Sequence, residues 1–250
     1  MSTGENAQPT TPALRPAFYA LRAGGWRDYV TLMHPPYTAW HLSYIVLGVA
    51  VAPAVHVDRL IAALVAFFLA MGLSAHALDE LGRPLNTRIP ESTLRLIGVG
   101  GLGAAVAMGI VGSIVVTPWL LIFVAFGLFI APAYNLEWFG GRFHSDAWFA
   151  FAWGSFPFLT AYWVSGERLA LPALFGAVAA FSLSLAQRKL SFRVRSVRRR
   201  VRAIEGKVVY ADGAVEELDR AWAIEPLESA LMLMSLAIVT VSIAALLVRL

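Results

Sequence analysis

The sequence predicts an all-α membrane protein, a polytopic bundle whose helices cross the bilayer about seven times. Of the 250 residues, 58% are hydrophobic and 14% are charged, whereas soluble domains carry charge at about 25% of positions. Apolar runs of roughly 20 residues, the length that a helix needs to cross a bilayer, recur along the chain. The chain contains no cysteine, which excludes disulfides, thiolate metal sites and cysteine nucleophiles.

Apolar runs and charge divide the chain into four regions. These are a disordered or interfacial tail at 1–26, a transmembrane bundle at 27–190, a basic segment at 191–225 and a C-terminal transmembrane helix at 226–250. The tail begins with a polar stretch, 1–14, that lacks the apolar core of a signal peptide. The spans are predicted at residues 37–56, 58–81, 93–116, 118–134, 147–165, 169–188 and 226–248.

The distribution of Lys and Arg sets the expected orientation. Basic residues precede the first predicted span and follow the second, fourth and sixth spans, whereas the other connections carry little charge. Because Lys and Arg stay on the cytoplasmic side, we expect a multi-pass protein of the cell membrane with its N-terminus in the cytoplasm and its C-terminus outside. The connections richest in polar residues then share the cytoplasmic face.

Ionisable residues gather at the end of the second predicted span, in the stretch SAHALDELGRPLNTRIP. His76, Asp79, Glu80 and Arg83 have the spacing i, i+3, i+4 and i+7, which puts them on one face of a helix. Ionised side chains at a membrane helix end cost about 3 kcal/mol each unless they are paired or hydrated. They form either an ion-pair network within the helix or one wall of a cavity, and their convergence on one stripe favours the cavity.

A second polar cluster lies between the fourth and fifth predicted spans, in YNLEWFGGRFHSDAW. Glu137, His144 and Asp146 surround a Gly140–Gly141 hinge. Histidine and carboxylate together suit Mg²⁺, Mn²⁺, iron or Zn²⁺. The alternative is an ordinary interfacial loop with a tryptophan belt.

Within the first predicted span, His41 lies beside Tyr44 in an apolar run. A histidine in such a helix either hydrogen-bonds a neighbouring helix or contributes to a site. Its place inside the hydrophobic run makes His41 the better site candidate compared with His34, which precedes the run.

The basic segment QRKLSFRVRSVRRRVRAIEGKVVYADGAVEELDRAW is the one substantial soluble stretch. Its first half should lie on anionic lipid headgroups, each cation contributing about 1 kcal/mol. Its second half places Asp212–Gly213 between β-prone flanks and predicts a small hairpin. The segment either fixes the topology or forms a lid, over residues 188–225, on the cytoplasmic mouth. Few aromatic residues alternate with the cations, so no nucleic-acid partner is expected.

Three stretches resemble the UbiA superfamily of intramembrane prenyltransferases. LMHPPYTAWHLSYIVLGVAVAP is similar to the first span of that superfamily, SAHALDELGRPLNTRIPESTL to its second span and cap, and APAYNLEWFGGRFHSDAWFAFAWG to its fourth-to-fifth connection. They cover roughly residues 30–165 in the family's order. The chain departs from the family's pattern with His76 where Asn is usual, with Trp138 and Phe139 in place of two cations, and with no carboxylate at the end of the sixth span.

The resemblance implies a helical bundle around a cavity that opens to the cytoplasm. In the family, Asp-rich motifs hold Mg²⁺, which grips a prenyl diphosphate, and the allylic cation left after diphosphate departs is captured by an acceptor. On this chain the implied cofactor is a divalent metal, with Mg²⁺ first. The implied partners are membrane lipid and a lipid-soluble isoprenoid or quinone-like molecule.

Three functions remain open from the sequence: a UbiA-like enzyme acting on a lipid-soluble, isoprenoid-type substrate, a His/carboxylate transition-metal membrane enzyme, and a non-catalytic lipid- or quinone-binding protein of the same fold. The expected catalytic residues are Asp79, Glu80 and His76. The expected substrate-binding residues are Arg83, Asn86, Arg88, His41, Tyr44 and Tyr134. The expected metal ligands are Asp79, Glu80, His76, Glu137, His144 and Asp146.

Overall fold

A computed structural model describes residues 15–250, and the stretch 1–14 of the predicted tail lies outside the described residues. The described chain is mainly helical. Its elements are α1 (Trp26–Leu32), α2 (Pro35–Ala50), α3 (Val57–Glu80), α4 (Glu91–Val115), α5 (Leu120–Asn135), a short distorted turn α6 (Trp138–Gly141), α7 (residues 146–166), α8 (Leu171–Arg200), β1 (Lys207–Val209), β2 (Val215–Glu217) and α9 (Arg220–Leu247).

Four helices of the described chain, α3, α4, α8 and α9, are long and apolar enough to cross a membrane, and α5 is a shorter apolar helix. Their outer faces are rich in exposed aliphatic side chains, such as Leu96 and Ile114 on α4. Exposing so wide an apolar surface to water is unfavourable, whereas lipid chains would cover it. The protein is therefore an integral membrane protein.

Every apolar segment predicted from the sequence is a helix in the structure, with ends that differ by a few residues. The exception is α8, which continues well past residue 188 to Arg200. Apolar residues recur among the cations of this extension, and Val194 and Val197 pack against Ile224 and Leu231 of α9. This apolar stripe packs against α9 and keeps the basic stretch helical, so α8 is longer than the predicted span 169–188.

The bundle is closely packed around α2 and α7, and glycines allow the close approaches. A Cβ added at Gly48 of α2 would lie 2.4 Å from the carbonyl oxygen of Phe158 on α7. A Cβ added at Gly154 of α7 would lie 2.6 Å from the carbonyl oxygen of Ala180 on α8. Both separations are shorter than any real carbon–oxygen contact, so only glycine lets α7 lie this close to both neighbours.

Two helices, α3 and α7, contain a π-helical stretch. In α3 it covers Phe68–Ala75, and in α7 it covers Phe151–Ser155. A π turn inserts an extra residue and rotates the face that the following turn presents. In α3 the stretch ends directly before His76, so it sets which side of the helix carries the polar residues 76–80.

The segment 201–219 forms the small antiparallel hairpin that the sequence predicts, with Val208 opposite Glu216. Gly213 takes a φ of 87°, which favours glycine, and the Asp212 carboxylate accepts a hydrogen bond from the Ala214 N–H. The hairpin side chains are mostly exposed.

The segment 15–25, which was expected to belong to a disordered or interfacial tail, packs against the bundle. Ala17 and Ala20 are buried, and the ring of Tyr19 contacts the rings of His34 and Tyr37. The Arg198 guanidinium donates a hydrogen bond to the Arg15 carbonyl, which ties this segment to the end of α8.

Candidate functional site

A cavity of about 290 Å³ lies where the ends of α2, α3, α5 and α7 meet the basic half of α8. It is the place where the ionisable residues of several helices come together.

The α8 wall is strongly basic. Four arginines line the cavity: Arg188, Arg195, Arg199 and Arg200. The first three, spaced by seven and then four residues, lie on one helical face. Arg198 lies on another face and makes a two-pronged ion pair with Glu228 of α9, while Arg193 is exposed. The helix therefore separates its cations into an inward set, a structural one and an outward one.

Arg195 has the least compensation of these cations. It forms no hydrogen bond or ion pair with any residue in 15–250, although it interacts electrostatically with Asp79 and with the hydroxyls of Tyr37 and Tyr19. A guanidinium carries five N–H donors that match the oxygens of carboxylate or phosphate groups. The donors of the Arg195 guanidinium are therefore not satisfied by any residue in 15–250.

The α3 wall carries His76 and Asp79. The His76 Nδ1–H donates to the Gly72 carbonyl over 3.2 Å, so the acceptor lone pair of the neutral ring is on Nε2. Asp79 faces the electrostatic field of Arg195, Arg199 and His144. A carboxylate and an imidazole thus lie across the cavity from a row of arginines.

The α2 wall begins at His34, whose ring stacks on that of His76 with 4.1 Å between centroids. Burial, followed by the electrostatic effects of the neighbouring His76 and of Arg195, holds the pKa of His34 well below its ordinary value. The Tyr19 ring contacts the His34 ring, and burial raises the pKa of Tyr19 beyond its usual range. Both groups therefore remain neutral at physiological pH, and the positive charge of this region comes from the arginines.

Aromatic rings form the wall that leads into the bundle. The Tyr134 ring stacks on His144 at 4.5 Å and lies 4.6 Å from Trp153, whose ring is parallel to that of Phe149. The His144 Nδ1–H donates to the Tyr134 carbonyl over 3.0 Å. This wall is apolar in its surface but carries the Tyr134 hydroxyl.

The α5–α7 connection supplies the rim. Glu137 lines the cavity and, like Phe139, takes a positive φ, 51° and 57° respectively. Positive φ is uncommon for a non-glycine residue, but Arg83, Asn86 and Glu167 also adopt it, so it marks a tight turn of the rim. Asp146, a predicted metal ligand, does not line the cavity and pairs with the Arg188 guanidinium over 3.2 Å.

Glu80, predicted as a catalytic residue and metal ligand, lies away from the cavity. Its side chain is fully buried and accepts hydrogen bonds from the Leu85 N–H and from both the N–H and the hydroxyl of Thr87. Successive residues of a helix point about 100° apart. The stripe therefore divides, with Asp79 facing the cavity and Glu80 facing the loop at 81–90, which we call the cap loop.

Three of the predicted substrate-binding residues also belong to the cap loop: Arg83, Asn86 and Arg88. The helix ends at Glu80, so the helical spacing no longer applies to Arg83, which takes a φ of 57°. Its guanidinium donates to the carbonyls of Thr87 and Ile89. Asn86 and Arg88 are exposed, and the Arg88 N–H donates to the buried Asp28 carboxylate.

Of the other predicted substrate-binding residues, His41 and Tyr134 line the cavity and Tyr44 does not. The Tyr44 hydroxyl accepts hydrogen bonds from Trp40 Nε1 and from the Ser184 hydroxyl. It holds α2 against α8.

Four of the side chains that were expected to hold a metal are spread over several walls of the cavity. Within residues 15–250, no three His, Asp or Glu side chains come close enough together to hold a metal ion. His76, Asp79, Glu137 and His144 share the cavity but do not form one ligand cluster. The donor set suits at most a metal that arrives with oxygens of its own.

Sequence reasoning missed the α8 arginines as site residues. The signal was present, because Arg188, Arg195 and Arg199 follow a helical spacing, but cations at a membrane boundary are more often headgroup contacts. It also missed Gln187 as a cavity-lining residue.

Comparison of the chain with models of protein families, with curated proteins and with solved structures finds no match.

Proposed function

We propose that this protein is a UbiA-like intramembrane enzyme that acts on a lipid-soluble, isoprenoid-type substrate with a phosphate or diphosphate headgroup. The reaction would resemble prenyl transfer, with the headgroup leaving at the basic end of the cavity. The observation that carries the proposal is the row of cavity-facing arginines on α8 opposite Asp79 and His76.

The charge of the cavity favours an anionic headgroup. Four arginines of α8 line the cavity, among them Arg195 and Arg199, whereas the acidic residues of its lining are Asp79 and Glu137. Two-pronged contacts from guanidinium to phosphate are among the strongest charge-assisted hydrogen bonds. Charge that develops on a departing phosphate would be stabilised by donors already fixed in place, which is the usual main source of such catalysis.

The aromatic wall favours an apolar, cation-forming tail. Tyr134, Phe149 and Trp153 line the side of the cavity that leads into the bundle. Their ring faces would exclude water and stabilise positive charge left on carbon when the phosphate departs. The basic mouth and the aromatic interior together match a molecule with a charged head and a hydrocarbon tail.

Mg²⁺ fits this proposal in one limited way. The ion keeps several waters and often takes one or two carboxylates together with phosphate oxygens. Asp79 would be its protein ligand, and the ion would supply further neutralisation of the headgroup. His76, with Nδ1 engaged, would accept a hydrogen bond through Nε2 from a water that the ion carries.

The membrane arrangement is part of the same proposal. All seven apolar segments would form the bundle, with the N-terminus in the cytoplasm and the C-terminus outside. The arginines of α8 would then reach the cytoplasmic headgroup layer, because a helix of 30 residues is roughly 45 Å long. That length exceeds the hydrocarbon thickness of about 30 Å. The outward cations of α8 would contact anionic lipid headgroups.

Pyrophosphate binding tests the proposal directly. We expect the purified protein in lipid nanodiscs to bind pyrophosphate and Arg195→Gln to bind it at least about tenfold more weakly, since a charged hydrogen bond contributes about 1.5–3 kcal/mol. Arg193→Gln removes an exposed cation from the same helix and should bind normally. Asp79→Asn should lose the part of the affinity that added Mg²⁺ provides.

Equal affinities in Arg195→Gln and Arg193→Gln would show that pyrophosphate is held by surface charge alone, and the proposal would then be abandoned. If pyrophosphate binds as expected, prenyl diphosphates of different chain length can be offered with release of pyrophosphate as the readout.

A non-catalytic lipid-binding protein is the second candidate. Residues 180–200, which form the arginine wall, contain no carboxylate, so the second acidic cluster of the resembled family is absent. Such a protein would bind pyrophosphate-headed lipids but release no pyrophosphate with any acceptor offered.

A further inference from the structure

Three buried polar groups at the inner end of the cavity have no hydrogen-bond partner among residues 15–250. They are Nδ1 of His41, the hydroxyl of Tyr134 and the amide oxygen of Gln187. Each side chain belongs to a residue that is at most 5% exposed, and all three line the same cavity. Buried polar groups are almost always paired, and leaving one unpaired costs about 1–3 kcal/mol.

The three groups differ in what they require. The His41 ring donates a hydrogen bond to the backbone of Trp153, so in the neutral imidazole Nδ1 is the acceptor nitrogen. The amide oxygen of Gln187 can only accept. The Tyr134 hydroxyl can donate and accept. A matching ligand must therefore bring at least one O–H or N–H donor and accept one hydrogen bond.

This requirement narrows the chemical class. A ketone or quinone oxygen only accepts, so it would leave the acceptors of His41 and Gln187 unpaired, and a carboxylate would do the same. A protonated amine would lie in the positive field of Arg188 and Arg195, both of which act on Tyr134. An uncharged hydroxyl has one donor and two acceptor lone pairs and satisfies both conditions.

We propose that His41, Tyr134 and Gln187 form a binding site for the hydroxyl group of an uncharged second substrate, distinct from the arginines that face the headgroup. This inference rests on the proposed transfer function and names the class of its acceptor. Tyr134 donates to the hydroxyl oxygen, and the hydroxyl donates to His41 or Gln187.

The site also gives the acceptor's proton a destination. The hydroxyl oxygen forms a bond to the carbon that carries the phosphate, the carbon–oxygen bond to phosphate breaks with its electron pair on the phosphate, and the hydroxyl proton passes to Nδ1 of His41. The products are an ether, free phosphate or pyrophosphate, and a protonated His41 that returns its proton to water.

The test compares tritiated dodecanol with methyl dodecyl ether, a pair that differs in the hydroxyl hydrogen. Binding to full-length protein in nanodiscs is measured with saturating pyrophosphate, which occupies the arginines. We expect the alcohol to bind about fivefold more tightly than the ether, the value of about one net hydrogen bond. Replacing both acceptors, in the double variant His41→Phe with Gln187→Leu, should reduce this preference to less than about twofold. Tyr134→Phe should instead weaken the alcohol and the ether alike, because Tyr134 donates to the oxygen that both ligands carry.

Tyr162→Phe is the matched control, because Tyr162 is equally buried but does not line this cavity, and it should keep the preference. Pyrophosphate affinity and the melting temperature report whether each variant is folded. Equal binding of alcohol and ether by the unmodified protein would overturn the hydroxyl site, as would a preference that survives when both His41 and Gln187 are replaced.

The two proposals fail separately. If the unmodified protein binds pyrophosphate normally but shows no preference for the alcohol, only the proposal of the hydroxyl site is abandoned. Loss of pyrophosphate binding, measured without alcohol, removes the proposed function.

Discussion

The cap loop and the cavity meet at the same helix end, where Pro84 of the loop lines the cavity. The two regions nevertheless differ in how their polar side chains are paired. At the cap loop, Glu80 accepts three hydrogen bonds and Arg83 donates two. In the cavity, Arg195 has no hydrogen bond within residues 15–250, and the inner polar groups are unpaired. Saturated pairing indicates structure, whereas unpaired donors and acceptors around one space indicate a ligand.

The largest expected effect falls on the cap loop. Glu80→Ala would leave two buried N–H groups and a hydroxyl without an acceptor, so we expect a loss of about 3 kcal/mol or more in unfolding free energy. Thermal unfolding in detergent measures it. The exposed pair of Glu91 and Arg95 provides a control, since Glu91→Ala should change stability by less than about 0.5 kcal/mol.

If Glu80→Ala kept full stability but lost pyrophosphate binding, Glu80 would act in the cavity and its assignment to the cap loop would be wrong. A folded Glu80→Ala protein should instead bind pyrophosphate with unchanged affinity.

A smaller loss is expected for Arg83→Gln. The variant removes the hydrogen bonds to the Thr87 and Ile89 carbonyls, and about 1–2 kcal/mol of stability should be lost. Proteolysis at the cap loop, followed by mass spectrometry, would reveal local opening. A variant with normal stability but weakened pyrophosphate binding would instead return Arg83 to the role that the sequence suggested.

The smallest expected effect has the opposite sign. Arg195→Met replaces a poorly compensated charge with an apolar side chain of similar length, so stability should rise by about 1 kcal/mol while pyrophosphate binding is lost. Arg193→Met, on the exposed face of α8, should change neither. A destabilised Arg195→Met protein would mean that Arg195 supports the fold, which contradicts its assignment to the site.

Hydrophobic runs allowed the helices to be predicted well, because a run of suitable length has few alternatives in a membrane. Prediction of the site was less complete. Helical spacing placed His76 and Asp79 on one face, and both line the cavity. The same spacing grouped Arg83 with them, although Arg83 lies beyond the helix end. The two sides of the helix at Asp79 and Glu80 could not be distinguished without knowing where α8 lies.

The α8 arginines illustrate the remaining limit. Cations beside a membrane span usually mark topology, and nothing local in the sequence separates Arg193, which is exposed, from Arg195, which lines the cavity. The separation depends on the contact of Val194 and Val197 with α9 and on the close approach of α7 and α8 at Gly154. Both are contacts between segments distant in sequence.

Anomalous diffraction from crystals soaked in tungstate, a heavy analogue of phosphate, tests the anion site most directly. We predict a tungsten peak between Arg195 and Asp79, within hydrogen-bonding distance of the guanidinium, and its loss in Arg195→Gln crystals. Tungsten found only beside the exposed cations Lys189 and Arg193, in both proteins, would contradict the assignment of an anionic headgroup to this cavity.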